Sequence, residues 1–178
     1  MTTDVPAPAG YRQVGENRYR EVVGLGYEEL HEGLVIEHRP GRTITEADNV
    51  LMTTLGGNDA PIHTDVHYSE QTEWGRPLVC SGITVHVVGG MTVRATSGLT
   101  TANLGLEDIR FTHPVFVGDT LYAETEVVAR RRSRSRTDTG IVTCRTTGRN
   151  QDGKPVVTFT RSFFVPIDAA AVRDRTGY

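Results

Sequence analysis

Cysteine is scarce in this sequence, with Cys80 and Cys144 the only two among 178 residues. Two thiols can form neither a framework of several disulfides nor a zinc site with four thiolate ligands. A disulfide-stabilised secreted domain is therefore excluded, and we expect both thiols to stay reduced, as they would in the cytoplasm.

The chain also lacks an excess of charge of either sign and a long apolar run. It carries 19 basic and 22 acidic residues, for a formal net charge of -3. This balance provides no overall field that would attract nucleic acid or an anionic membrane. No apolar run reaches membrane-spanning length, and residues 1–10 lack the basic and apolar parts of a signal peptide. We expect a soluble, cytoplasmic protein that binds neither nucleic acid nor membrane.

The length and composition predict a single folded domain. A chain of 178 residues with 37% hydrophobic composition can bury one ordinary core and is short for two. Residues 1–15 are small, polar and proline-containing, which predicts a flexible or extended N-terminal arm. The domain is predicted over residues 16–168. The alanine- and charge-rich residues 169–178 are predicted to be a C-terminal tail compatible with a short helix.

Two helix starts flank a loop rich in functional side chains. Thr45 and Asp48 have the spacing of a capping box, which predicts a helix from about Thr45 to Leu55. Asp65 can cap a second helix in the same way. The loop between them carries His63, which we expect to be held rigidly because it lies between two capped helices.

The remaining patterns indicate mainly β-structure. A first strand is predicted at Leu34–His38, ending in a turn at Pro40-Gly41. Four later strand-length runs are Leu104–Phe111, Leu121–Arg131, Ile141–Arg149 and Val156–Val165. The segment Ile83–Val93 is ambiguous, because its β-branched residues favour a strand whereas its apolar spacing is compatible with a buried helix.

The loop sequence Asn58–His63 resembles the Asp-x-Asn-Pro-aliphatic-His signature of MaoC-like, (R)-specific enoyl-CoA hydratases. Other segments look like the branch of that family that contains mesaconyl- and itaconyl-CoA hydratases. These segments are Thr45–Leu51, Gly75–Ser81, Ala102–Gly105, Arg110-Phe111 and Pro114–Leu121. The resemblance extends roughly from Tyr19 to Phe164.

The resemblance implies an α+β fold, a single hot-dog domain in which an antiparallel sheet wraps a long central helix. It therefore assigns Ile83–Val93 to that helix. It also implies hydration or dehydration of an enoyl/3-hydroxyacyl thioester, with a short, branched or dicarboxylic acyl group. The implied partners are an acyl-CoA or acyl-carrier thioester and further copies of the chain, in a homodimer or larger oligomer. No cofactor is implied beyond the coenzyme A thioester itself, which is the substrate.

The same resemblance implies the catalytic residues His63 and Asn58. His63 would exchange a proton with water, and Asn58 would position the water or the imidazole ring. Asn58 stands where the general family has an aspartate, and Ala60 stands where it has an asparagine. Because an amide cannot take a proton, Asn58 is equally interpretable as a loop-capping residue. Asp59 is a candidate substrate contact whose carboxylate could restore proton transfer if the loop turns it inward, and it is an ordinary exposed turn residue otherwise.

The resemblance also implies that the start of the central helix, at Ser81 and Gly82, binds the substrate through a backbone N–H. A free helix N-terminus offers unpaired N–H groups and partial positive charge to the thioester oxygen. Ser81 as an ordinary N-cap is the alternative interpretation. For Cys80, packing is the default interpretation because no base is near it in sequence.

Other features carry weaker functional hypotheses. The arginine-rich run Arg130–Arg136 is interpreted as a solvated strand end, with coenzyme A phosphates as an alternative ligand and RNA as a more distant one. The histidines show no spacing typical of a metal site. Because both polar partners of His63 in the family signature are replaced, a non-catalytic hot-dog subunit or acyl-thioester binding protein is the rival function. A thioesterase is a third alternative.

Overall fold

The structure is a computed structural model that describes residues 7–178. It begins with a hairpin of two antiparallel strands, β1 (Tyr11–Gly15) and β2 (Arg18–Glu21). Residues 11–15, which belong to the predicted flexible or extended arm, form a strand of this hairpin. The cause is tertiary, because the Arg12 guanidinium donates a 2.6 Å hydrogen bond to Asp174 near the end of the chain. The first part of the predicted arm, residues 1–6, lies outside the described residues, and the domain boundaries stay a prediction.

A five-stranded antiparallel sheet forms the body of the protein. Its strands are β3 (Val35–Thr43), β4 (Asn103–Phe111), β5 (Thr120–Arg132), β6 (Thr139–Arg149) and β7 (Pro155–Pro166). Their order in the sheet is β3-β5-β6-β7-β4, so β3 and β4 are the two edges. The four strand-length runs in the second half of the sequence are thus confirmed as strands.

Strand β3 is longer than its sequence predicts. It continues through Pro40-Gly41 to Thr43, with an irregular register between His38 and Arg42 where it passes β5. A Cβ atom at Gly41 would lie only 2.5 Å from a ring carbon of Tyr122. The glycine is therefore required by a close approach within the sheet, and the predicted turn at this position is wrong.

Helix α1 (Glu46–Leu55) begins as its sequence predicts. The Asp48 amide donates to the Thr45 hydroxyl at 3.2 Å, and the Thr45 amide donates to the Asp48 carboxylate at 2.9 Å. Two short helices follow, α2 (Pro61–Thr64) and α3 (Val66–Glu70), the second capped by Asp65. His63 consequently lies in a single helical turn and not in an irregular loop.

Helix α4 (Ser81–Val93) resolves the ambiguity of the β-branched segment in favour of a helix. Packing overrides propensity here, because Ile83, Val87 and Val88 are buried with Phe159 in one core cluster. The helix and the sheet approach each other closely at Gly148 of β6, where a Cβ atom would lie 2.6 Å from a Val88 methyl group. Helix α5 (Ala169–Thr176) then ends the chain, in agreement with the prediction of a short helix.

The opposite end of the sheet covers a second core with a buried histidine beside it. Val127, Val142 and Phe163 are fully buried in this cluster. The nearby imidazole of His38 pairs through Nε2 with the Thr125 hydroxyl at 2.9 Å. Burial, with smaller contributions from Arg161 and Arg39, lowers the pKa of His38 to about 4. The layout of sheet and helices confirms the α+β class, and within residues 7–178 no helix is long and apolar enough to span a membrane.

Candidate active site

A hydrogen bond to the backbone determines which ring nitrogen of His63 is free. Its Nδ1 lies 3.0 Å from the carbonyl oxygen of Leu78. Because a carbonyl can only accept, Nδ1 carries the hydrogen of the neutral ring. The Leu78 amide in turn donates to the carbonyl of Ile62 at 3.0 Å, which ties this segment to α2. The Nε2 atom of His63 therefore holds the lone pair and is the atom that can accept a proton.

Asn49 of α1 fixes the segments on both sides of the imidazole. It is 2% exposed, and its Nδ2 donates to the carbonyls of His63 at 2.8 Å and Leu78 at 3.2 Å. Its Oδ1 accepts a 3.1 Å hydrogen bond from the amide of Cys80. One buried amide thus holds α1, the histidine turn and the start of α4 in one arrangement.

The N-terminus of α4 presents unpaired backbone donors. The amides of Ile83 and Thr84 donate back to the Cys80 carbonyl at 2.9 and 3.2 Å. The amides of Ser81 and Gly82, in the first turn, have no acceptor within the helix. Since no acidic side chain occupies this first turn, the partial positive charge of the helix end remains available to an oxygen of a ligand.

His63 and the N-terminus of α4 share a cavity of about 310 Å³. Its lining includes the polar side chains His63, Ser81, Thr84 and His113 and the aromatic rings of Trp74 and Phe111. No carboxylate occurs among the described residues that line it. The cavity thus combines a proton acceptor, backbone donors and apolar walls, as small-molecule sites do.

Two other cavities differ in chemistry. A smaller one of about 170 Å³ adjoins the other side of His63 and includes Glu46 and Arg76, whose guanidinium lies 3.8 Å from the centre of the Phe116 ring. A larger one, about 590 Å³, lies beside α5 and contains none of the predicted site residues. We place the site at His63, because converging polar groups are better evidence of chemistry than volume.

Asn58 is close to the site but does not line the cavity. Its Oδ1 accepts from the Ala60 amide at 3.2 Å, and its Nδ2 donates to the Cys80 sulfur at 3.3 Å. This is the loop-capping geometry, with an added contact to the start of α4. Asp59 is exposed, and in the part of the chain that the structure describes its carboxylate neither lines a His63 cavity nor accepts a hydrogen bond.

The arginine-rich run has structural partners instead of a place in the site. Arg130 donates to the Tyr27 carbonyl at 2.7 Å and lies 3.5 Å from Glu28, and Arg132 lies 3.6 Å from the same carboxylate. Neither His63 cavity includes any residue of the run. Within residues 7–178 no group of three His, Cys, Asp or Glu side chains is arranged to hold a metal ion.

The structure thus brings His63 and Ser81 together, with Gly82 adjacent, and leaves Asn58 and Asp59 outside the cavity. Sequence reasoning missed Asn49 and His113. A buried asparagine within a helix is a signal for the first, because asparagine is a poor helix former and needs partners when buried. No local signal marks His113, which enters the cavity from the segment after β4.

An antiparallel sheet packed on a central helix, with a cavity at the helix N-terminus, defines a hot-dog domain. The chain belongs to the MaoC-like family, whose domain, described as "MaoC like domain", matches residues 30–150. The β-methylmalyl-CoA dehydratase of Chloroflexus aurantiacus is 33% identical over 81% of this chain and 41% of its own length. The (R)-specific enoyl-CoA hydratase of Aeromonas caviae is 33% identical over 71% of this chain and 78% of its own length.

Solved structures show the same fold. A monoamine oxidase regulatory protein from Archaeoglobus fulgius superposes with a TM-score of 0.72 at 29% identity, over 82% of this chain and 96% of that one. A Mycobacterium tuberculosis protein with a double hot-dog fold gives a TM-score of 0.74 at 27% identity, over 82% of this chain and 45% of that one. These neighbours confirm the predicted hot-dog fold. The chain spans about 40% of the length of the first curated relatives it matches.

Proposed function

We propose that this domain adds water to an enoyl thioester of coenzyme A, or removes it from the corresponding 3-hydroxyacyl thioester. The observation that carries the proposal is the position of His63, which lines the same cavity as Ser81 at the N-terminus of α4 and whose Nε2 takes no part in the hydrogen bond to Leu78. A base for water and donors for the thioester oxygen are the two requirements of the reaction. The names of the relatives, which are hydratases and dehydratases of CoA thioesters, support the same substrate class.

The proposed mechanism follows from these positions. The amides of Ser81 and Gly82 bind the thioester oxygen and stabilise the negative charge that develops there as the enolate forms. Nε2 of His63 takes a proton from water as the water oxygen bonds to the β-carbon. Asn49 and Leu78 hold the imidazole in position throughout.

In this proposal Asn58 is a positioning residue, because its amide connects the histidine loop to Cys80 at the start of α4. The same observation favours a second candidate function. With no carboxylate at position 58, the domain could bind an acyl thioester without converting it, as a non-catalytic subunit. Asp59 as a substrate contact stays a prediction.

The proposed acyl group is short, branched or dicarboxylic, as the mesaconyl-CoA hydratase of Cereibacter sphaeroides suggests at 30% identity. We further propose a homodimer or larger oligomer. The edge strand β4 exposes Leu104, Leu106, Ile109 and Phe111, and an apolar edge of this kind is normally covered by another chain. We propose that the protein acts in the cytoplasm with no cofactor, since both cysteines are free thiols and the proposed chemistry needs only water.

The test is to incubate purified protein with mesaconyl-CoA and crotonyl-CoA and to identify the product by mass while free thiol is measured in parallel. We expect a product heavier by one water molecule and no thiol release. Thiol release would instead indicate a thioesterase. Saturable binding without turnover would favour the binding subunit.

A further inference from the structure

The cavity beside His63 contains a second imidazole that the proposed mechanism does not use. His113 lies in the segment that follows β4 and lines the same cavity as His63 and Ser81. Among the described residues that line this cavity, the two histidines are the only ones with an imidazole, carboxylate, amine or thiol group, the groups that usually serve as general acids and bases. Any further proton transfer to a bound thioester by the residues of this lining would therefore involve His113.

The two imidazoles are held in the same way. Nδ1 of His113 lies 2.7 Å from the carbonyl oxygen of Pro155, which also accepts from the Thr112 hydroxyl at 2.5 Å. A carbonyl only accepts, so Nδ1 keeps its hydrogen whether the ring is neutral or charged. Proton exchange at His113 must take place at Nε2, as it does at His63.

Hydration of an enoyl thioester requires two proton transfers. Water must lose a proton as its oxygen bonds to the β-carbon, and the α-carbon must gain one. His63 accounts for the first transfer. Asn58 cannot supply the second, because its amide is not an acid and its side chain, which bonds to Ala60 and Cys80, does not line the cavity.

We propose that His113 is the second proton-transfer residue of this site, an inference that rests on the proposed hydratase function. As water adds, its O–H bond breaks and the proton goes to Nε2 of neutral His63. The π-electron pair moves toward the thioester oxygen, and the α-carbon then takes the proton from Nε2 of protonated His113. The two rings return to their starting states by exchange with solvent, so one water molecule is added in total. Dehydration runs through the same transfers in reverse.

The substitution His113→Asn tests this role while retaining the structural contact, because the asparagine amide can still donate to the Pro155 carbonyl. His113→Gln is a second variant that also cannot transfer a proton. His31→Asn is the matched control, since His31 is likewise exposed and its Nδ1 lies 3.3 Å from a backbone carbonyl, that of Glu32. We expect both position-113 variants to lower kcat by about 10²-fold or more with mesaconyl-CoA and with crotonyl-CoA, since general acid–base catalysis contributes this much. KM and the thermal unfolding midpoint should change little.

A second readout separates proton transfer from support of the loop. In the dehydration of α-deuterated 3-hydroxybutyryl-CoA, the primary isotope effect should rise in His113→Asn, because breaking the C–H bond becomes more rate-limiting, and should stay unchanged in His31→Asn. Unchanged kcat in both position-113 variants would overturn the proposal. So would a higher KM confined to mesaconyl-CoA, which would make His113 a contact for the substrate carboxylate. If the unsubstituted protein turns over neither thioester, the proposed function fails and this proposal fails with it, whereas turnover that is insensitive to His113 overturns this proposal alone.

Discussion

The side-chain amide of Asn49 donates a 2.8 Å hydrogen bond to the main-chain carbonyl of His63. The same amide group also donates to Leu78, whose carbonyl accepts from the His63 ring. Asn49 and His63 are therefore parts of one hydrogen-bond network. The network depends on a side chain that never reaches the cavity where we place the chemistry.

Replacing Asn49 by alanine should reduce both stability and activity. The change leaves the Cys80 amide and the two carbonyls without their partner in a buried place, which costs on the order of 1–3 kcal/mol for a buried polar group. Urea unfolding would measure the decrease in the free energy of unfolding. Because the His63 ring is no longer fixed, kcat should fall by a larger factor than KM rises. Val50→Ala, at an exposed neighbouring position of α1, should change neither the free energy of unfolding nor kcat by a comparable amount. An Asn49→Ala enzyme with normal kcat would show that the network supports only the fold.

His38 should make the protein less stable in mild acid. Its pKa is lowered to about 4 from an ordinary value of 6.5, so between these values the unfolded chain binds more protons than the folded one. The free energy of unfolding should therefore fall as the pH drops from 6.5 to 4, by about 3 kcal/mol from this residue alone. Urea unfolding at a series of pH values would measure the slope.

The variant His38→Gln isolates this contribution, because glutamine can still bond to Thr125 but does not titrate. Its stability should change much less over the same interval. Asp48, whose pKa is lowered to about 2 mainly by the backbone N–H of Thr45, contributes equally to both proteins, so its effect near pH 4 cancels in the comparison. Equal slopes in the two proteins would contradict a buried, neutral His38.

Two glycine-to-alanine substitutions should have opposite effects. At Gly148 the added methyl would lie 2.6 Å from Val88 and 2.9 Å from Val157, so overpacking should destabilise the domain by about 1–3 kcal/mol. At Gly90 of α4 the methyl meets no atom within 4 Å, so the gain in helix propensity should stabilise it by about 0.5–1 kcal/mol. Thermal unfolding of both variants checks the pair. Destabilisation by Gly90→Ala would instead indicate that another subunit packs closely against this position.

Much of the fold could be predicted from local patterns. The capping box at Thr45 and Asp48 marked the start of α1, and the strand runs after Ala102 were recognisable from their apolar residues and turns. Helix α4 was recognisable only through the family resemblance, because its β-branched residues have strand propensity and its burial is what makes it a helix. The hairpin of β1 and β2 was missed because it is held by a contact with Asp174 near the far end of the chain.

The residues of the site likewise fall into those that local sequence predicts and those that depend on distant partners. His63 stood out because its motif is contiguous, and the loop-capping interpretation of Asn58 needed only its neighbours. Asn49 and His113 did not stand out, because their roles depend on partners distant in sequence. Pro155, which orients His113, is 42 residues away from it. Local sequence patterns identify the segment that contains His63. Asn49, which positions this segment, and His113, which lines the same cavity, can be recognised only from the packed structure.

The role of His63 as proton acceptor is tested most directly by the loss of conjugated-enoyl absorbance from mesaconyl-CoA and crotonyl-CoA. The rate of this loss is compared between the His63→Ala variant, the unsubstituted protein and the His67→Ala variant. His67 is an exposed histidine of α3 outside both His63 cavities, so it serves as a control for loss of an imidazole nearby. We expect the His63→Ala substitution to lower kcat by about 10²-fold or more, and we expect His67→Ala to keep normal turnover. Full activity in a folded His63→Ala protein would contradict a proton-transfer role for His63.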